Sequence, residues 1–285
     1  MRTRSFMQVD VFTDTPFLGN PVAVVLEADD LDTDQMQRIA RWTNLSETTF
    51  VQTATDPAAD YRLRIFTPMA ELPFAGHPTL GSAHALLQAG CVTPHAGRLV
   101  QQCAAGLVPI RVDPDTSRLW LSMPSARFAP VADKDQRLLE RIVGGSFASP
   151  ARLVDVGPRW IVAAYGSTQT LLEVTPDLQT LSALSERLHA TGLTMFSHAD
   201  SSGGSAAPIE VRSWAPAHGV PEDPVCGSGN GSVAAYRAAQ GHGVPYVARQ
   251  GRAIGRDGWV RITYAGDTIE VGGDSVVCVR GKLLA

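Results

Sequence analysis

Two stretches carry residue types that can hold and rework a small anion. They are Pro73-Phe74-Ala75-Gly76-His77-Pro78-Thr79-Leu80-Gly81 and Pro224-Val225-Cys226-Gly227-Ser228-Gly229-Asn230-Gly231. Each puts small residues where an extended segment turns into a helix. Backbone can then approach a ligand closely, and the first helical N–H groups, which lack an intrahelical acceptor, are left facing it. Pro78 suits an opening turn because its missing N–H would have no partner there. A dinucleotide is a poor occupant, since Gly227 to Ser232 lacks the third glycine of G-x-G-x-x-G and no G-K-[ST] follows either stretch. A carboxylate is the better fit. Arg62, Arg64, Arg159 and Arg212 are candidates to help hold it, and the sequence does not choose among them.

The elements that must position these stretches can be read around them. Leu80 to Leu87 and Val233 to Ala239 are apolar or small on nearly every face, the pattern of a buried helix. Strand-like runs precede and follow both. Two similar halves are therefore expected, each a strand layer wrapped around one central helix, with both helix starts facing a shared cleft. In the first half, Val9 to Phe12 and Val22 to Leu26 read as a hairpin, Asp32 as a helix cap with Asn44 as its stop, and Tyr61 to Phe66 as a half-buried strand. Leu99 to Gln102, Leu107 to Val112 and Leu119 to Met123 read as three more. Met123 to Pro130, with two prolines and no clear period, reads as a crossing without a continuous element. The expected division is 1–124 and 125–274, and the final strand, 275–285, is one that can pack back onto the first half. The second half is expected to hold helices near Asp133 to Val143 and Leu178 to Ala190, with a loop at Ser201 to Ala207.

Composition narrows the function classes. The chain has 285 residues, 44% hydrophobic and 18% charged, which suits two globular cores. A formal net charge of −4, only two lysines (Lys134 and Lys282) and no basic cluster argue against nucleic acid as a partner. No signal core and no membrane span are read, and the cytoplasm is the expected compartment. Cys91, Cys103, Cys226 and Cys278 form no paired spacing, and the seven histidines are dispersed, so neither a disulfide framework nor a metal site is expected.

Several segments together resemble the PhzF family of phenazine-biosynthesis-like isomerases, which share the diaminopimelate epimerase fold. They are Gly19-Asn20-Pro21, Asn44 to Thr48, Arg64 to Pro68 with Glu71 to Thr79, and Gly219 to Ser228. The resemblance implies an α+β fold of two barrel-like halves with the active site between them. It implies Glu47 as the catalytic acid/base, His77 and Asp223 as further active-site positions, and Gly76, Gly227 and Ser228 as substrate-holding ones. The implied reaction is a cofactor-free isomerisation of a small cyclic carboxylic acid such as trans-2,3-dihydro-3-hydroxyanthranilate, carried out by a homodimer.

The residues themselves are compatible with those roles. A carboxylate can take and return a carbon-bound proton if burial lifts its pKa toward neutrality, and Glu47 is flanked by Leu45 and Phe50. His77 at a helix start is expected as a neutral donor or acceptor, and it could equally serve as a cap. Asp223 can cap the second opening as well as bind a polar substituent. Cys226 departs from the threonine common among relatives. In diaminopimelate epimerases and proline racemases each half has a catalytic cysteine before this glycine, whereas the first such position here is Ala75. Cys226 thus reads as a buried small side chain, as a substrate contact, or as the partner of Glu47 in a racemase or epimerase. A third reading keeps the fold as a non-catalytic binding protein.

Overall fold

A computed structural model of the chain describes residues 2–197 and 209–285. The loop expected at Ser201 to Ala207 lies outside the described residues. The chain forms two compact units: one runs up to Leu121 and takes in Gly272–Ala285, and the other is Ser122–Val271.

The first unit opens with β1 (Thr3–Val11), β2 (Asn20–Val25), α1 (Thr33–Thr43), β3 (Glu47–Gln52), β4 (Tyr61–Phe66) and β5 (Glu71–Leu72). It continues with α2 (Gly76–Gln88), β6 (Arg98–Cys103), β7 (Gly106–Val112) and β8 (Leu119–Ser122). β1 and β2 are the expected antiparallel hairpin, and β2 then pairs parallel with β3. A parallel step needs a crossover, which α1 supplies. Its boundaries were written in the sequence: Asp32 caps Gln35 N–H in a reciprocal capping box, and Asn44 stops the helix in a left-handed conformation at φ 54°. β4 pairs antiparallel with β3 and β5 and parallel with β6, with α2 as the second crossover. The chain's final strand, Ser275–Leu284, adds to β1.

The second unit contains β9 (Arg127–Pro130), α3 (Asp133–Val143), β10 (Arg152–Asp155), β11 (Arg159–Ala164), α4 (Thr168–Glu173), α5 (Leu178–Arg187), β12 (Gly192–Phe196) and β13 (Ile209–Ala215). β14 (Val220–Asp223), α6 (Gly227–Ala238), β15 (Tyr246–Gln250) and β16 (Gly258–Ala265) follow. β17 (Thr268–Gly273) spans the point where the chain returns to first-unit residues, and the final strand is β18. The pairings repeat the first unit step for step. β10–β11 is antiparallel, β11–β12 parallel, β12–β13 and β13–β14 antiparallel, β13–β15 parallel and β15–β16 antiparallel. One segment corrects the sequence reading: Met123 to Pro130 is not wholly irregular, because Arg127–Pro130 pairs with β10. Pro130 closes that strand, where its missing N–H does not interrupt a continuing ladder.

Each sheet encloses one helix. Nearly all of α2 from His77 to Leu86 is buried, and Gly229 to Tyr236 of α6 is buried throughout. The outer faces carry separate apolar clusters. Met36 and Ala40 of α1 pack with Phe50 and Phe66, and Leu139, Leu181 and Leu184 of α3 and α5 pack with Ile161, Leu193 and Trp214.

The fit of α2 against β1 and β2 is tight at Gly81, where an added Cβ would lie 2.4 Å from Val22 Cγ1 and 2.9 Å from Val11 Cγ2. At Gly76 the nearest atom, Leu121 Cδ1, would be 3.9 Å away. Gly81→Ala is expected to cost about 1–3 kcal/mol through overpacking, whereas Gly76→Ala should leave stability within about 1 kcal/mol. Urea unfolding of the two variants measures the difference.

Candidate active site

In the first unit, alternation along β3 sets the geometry. Thr48 and Phe50 face α1: Thr48 Oγ1 lies 2.6 Å from Thr43 Oγ1, and Phe50 joins the α1 cluster. Glu47 and Thr49 therefore face α2. Thr49 Oγ1 is 2.8 Å from Ser82 Oγ, which pins the helix to the strand. A second pin joins α2 to β6, where Gln101 Nε2 donates to Thr79 Oγ1 at 3.0 Å. With the helix so fixed, His77 in its first turn comes beside Glu47 at the strand start, with Nε2 3.3 Å from Oε2. The His77 side chain is 9% exposed and that of Glu47 15%. The other ring nitrogen of His77, Nδ1, lies 3.4 Å from Asn20 Nδ2 at the head of β2. Burial raises the Glu47 pKa from the ordinary 4.5 to about 6, opposed by a hydrogen bond from Ser46. Ala75, at the N-cap of α2, offers no side-chain cap.

His84, deeper in the same helix, is held neutral because burial lowers its pKa to about 4. It is half-buried.

In the second unit, Cys226 takes the N-cap position of α6, and its sulfur accepts the Gly229 N–H at 3.2 Å. Ser228 Oγ stands 3.6 Å from the same sulfur and accepts the indole N–H of Trp160 at 3.0 Å. Burial, reinforced by the nearby Asp223 charge, pushes the Cys226 thiol well above its ordinary pKa. The thiol therefore stays protonated, in contrast to a cysteine ionised by a helix start. Asp223 ends β14, and its Oδ1 accepts the Val225 N–H at 3.1 Å. Gln250, fully buried in β15, ties the turn together. Its oxygen accepts from Cys226 N–H (3.2 Å) and Asn230 Nδ2 (2.8 Å), and its amide donates to the Asp223 carbonyl at 3.0 Å.

The two units differ at equivalent places. Glu47 opens β3 opposite Val22, and the matching residue opening β12, opposite Trp160, is Gly192. A Cβ at Gly192 would lie 1.9 Å from the Trp214 carbonyl oxygen, so no side chain fits there. Ala75 is matched by Cys226.

The structure thus brings Glu47, His77 and Gly76 together in the first unit, and Asp223, Cys226, Gly227 and Ser228 together in the second. Two of the arginine candidates are committed elsewhere. Arg64 forms a two-pronged pair with Glu71, and buried Arg212 is shared between Glu222 and the carbonyls of Leu171, Leu172 and Val174 at the end of α4. The sequence reading gave no role to the side chains of Asn20, Trp160 or Gln250. Asn20 stands inside the Gly19-Asn20-Pro21 motif, Trp160 only opens a strand-like run, and the strand holding Gln250 is not recognisable from its residues. Two surface grooves, one along Leu178, Ser182 and Pro221 and one along Arg62, Glu71 and Cys103, are lined by none of Glu47, His77, Asp223 or Cys226. Among the described residues no three His, Cys, Asp or Glu side chains cluster as a metal site, and no helix is long and apolar enough to cross a membrane.

Comparison with known proteins shows the family and the fold. The family described as phenazine biosynthesis-like protein (PhzC-PhzF) matches residues 9–282. The chain is 37% identical over 298 residues to "Antisense-enhancing sequence 1" of Schizosaccharomyces pombe, covering 99% of each protein. It is 33% identical to the trans-2,3-dihydro-3-hydroxyanthranilate isomerase of Pseudomonas fluorescens, covering 98% of this chain and 99% of that one. A crystal structure of a PhzF-family phenazine biosynthesis protein from Bacillus anthracis superposes with a TM-score of 0.87 at 25% identity, with both chains fully covered. A sheet-enclosed helix in each unit, the same strand pairings in both and a match along nearly the whole length place this chain in the PhzF family of isomerases, with its diaminopimelate epimerase-like fold.

Proposed function

We propose that the protein is a cofactor-independent isomerase that moves a proton between carbons of a small cyclic carboxylic acid, with Glu47 as the acid/base. The observation that carries the reading is the buried Glu47–His77 contact at 3.3 Å, in which burial lifts the carboxyl to about 6. A group with that pKa is largely ionised at neutral pH yet holds a proton well enough to return it. In the proposed reaction Glu47 takes a proton from one ring carbon, the electron pair shifts through the conjugated system, and the same proton is delivered to a second carbon. Bonds and electrons balance within the substrate, and no redox partner is needed. His77 holds the carboxylate in place. The uncapped start of α2, with Gly76, offers backbone donors to a substrate carboxylate, and Gly227 and Ser228 at the start of α6 are substrate-binding positions in the same reading. Asp223 binds a polar substituent. The named activity of the Pseudomonas fluorescens relative makes trans-2,3-dihydro-3-hydroxyanthranilate the first compound to try. In this reading the enzyme works in the cytoplasm as a homodimer, and light scattering of the purified chain gives its mass.

A two-cysteine racemase is disfavoured by Ala75 at the position matching Cys226, and the raised thiol pKa makes Cys226 a poor base in the direction in which a Glu47–Cys226 pair needs a thiolate. Proton NMR in D2O separates the readings. Glu47→Gln should lower kcat by about 10²–10⁴-fold, and Asp223→Asn by less. Cys226→Ser should retain most of the activity, because a serine oxygen caps the helix at least as well as sulfur. Alpha-proton exchange in proline or diaminopimelate that disappears in Cys226→Ser would overturn the proposal in favour of the racemase.

The proton linkage gives two further outcomes. The free enzyme needs ionised Glu47, so log kcat/KM should rise with unit slope below about pH 6 and level off above it. For stability the sign is the reverse. A carboxyl raised from 4.5 to about 6 favours the fold when protonated, so its contribution is complete below pH 4.5 and lost as pH rises through 6. Glu47→Gln removes that loss and should be more stable than the parent by up to about 2 kcal/mol at pH 7.5. The two should converge below pH 4.5, and urea unfolding across that range is the check.

A further inference from the structure

The third member of the first-unit cluster has no part in the reaction as described. Asn20 is 1% exposed, a costly place for an amide unless its bonds are specific. Its position is well determined. It begins β2 opposite Val11, and the preceding Gly19 N–H donates to the buried Asp10 carboxylate at 3.3 Å. α2 lies against the same two strands through Gly81. The side-chain amide is thereby held 3.4 Å from His77 Nδ1.

The chemistry of that contact is one-directional. An amide nitrogen can only donate, so the ring nitrogen facing it must offer a lone pair. A neutral imidazole that accepts at Nδ1 carries its proton on Nε2, and Nε2 is the atom 3.3 Å from Glu47 Oε2. We propose that Asn20 is a positioning residue for the isomerisation: it selects the Nε2–H tautomer of His77, so that the imidazole presents a donor to Glu47. The proposal rests on Glu47 being the acid/base. The consequence is a division of labour within the carboxyl group. Oε2 then faces the Nε2–H of His77 at 3.3 Å whether Glu47 is ionised or protonated, and the travelling proton is directed to Oε1. The opposite tautomer would turn a lone pair toward Oε2, repel the ionised carboxylate, and compete for the proton that the substrate must receive.

The test reads the tautomer without substrate. Histidine labelled with 15N gives distinct long-range 1H–15N patterns for the two neutral tautomers and the imidazolium, and the His77 signals are assigned by their loss in His77→Phe. At pH 8 the parent should show His77 protonated at Nε2 only. Asn20→Asp is nearly isosteric but accepts instead of donating, so it should move a proton onto Nδ1 and lower kcat about 10- to 100-fold with little change in KM. Asn20→Ser, with a hydroxyl that can both donate and accept, serves if the aspartate variant does not fold. It should leave a mixture of tautomers and an intermediate kcat. A His77 pattern that is the same in the parent and in a folded Asn20 variant would overturn the assignment, as would a changed pattern with parental kcat. Failure of the underlying reading looks different: Glu47→Gln would then be fully active while the tautomer still followed residue 20.

Discussion

A helix enclosed by a sheet has no outward face on which to leave polar side chains, and the rest of this structure follows from that constraint. Ser82 and Thr79 on α2 are buried, so each must find its partner inside, on β3 and β6 respectively. Asn230 on α6 finds Gln250 on β15 in the same way. Each pairing is a stability requirement that also fixes the rotation and register of the helix. Once Ser82 is bound to Thr49, the residue five positions before it and the residue two before Thr49 have no freedom left. Those residues bring His77 and Glu47 together. The geometry of the Glu47–His77 pair is thus inherited from core packing.

That inheritance explains the energetics of the pair. Glu47 is kept from water by the elements that orient it, and the raised pKa is the cost of that burial. Cys226 meets the same physics with the opposite outcome. Its sulfur serves the helix start as an acceptor, while burial and the neighbouring Asp223 keep it protonated.

The sequence disclosed the parts of this arrangement that depend on local chemistry. Pro78 and the glycines marked both helix starts, Asp32 and Asn44 bounded α1, and all-round apolarity identified α2 and α6 as central. The all-round pattern that reveals a buried helix also hides its orientation, because no face is distinguished. The contacts that orient it, Thr49 with Ser82 and Asn20 with His77, join residues 33 and 57 positions apart, and no local rule selects them. β14, β15 and α4 escaped notice because they are short or polar: Val220–Asp223 holds a proline and two acids, and Tyr246–Gln250 carries an arginine and a glutamine that face partners elsewhere. β9 was obscured by its closing proline. The duplication of the halves, faint in residue identity, is plain in six matching strand pairings.

Gly192 gives that duplication its chemical meaning. The Trp214 carbonyl occupies the space a side chain would need, so the second unit has no counterpart to Glu47 and cannot acquire one by a single substitution. Under the proposed mechanism Glu47 alone serves both proton transfers, so hydrogen departs from and arrives at the same face of the ring. Such a course is suprafacial, and an isotope carried by the substrate can survive it because the group that removes it is also the group that returns it.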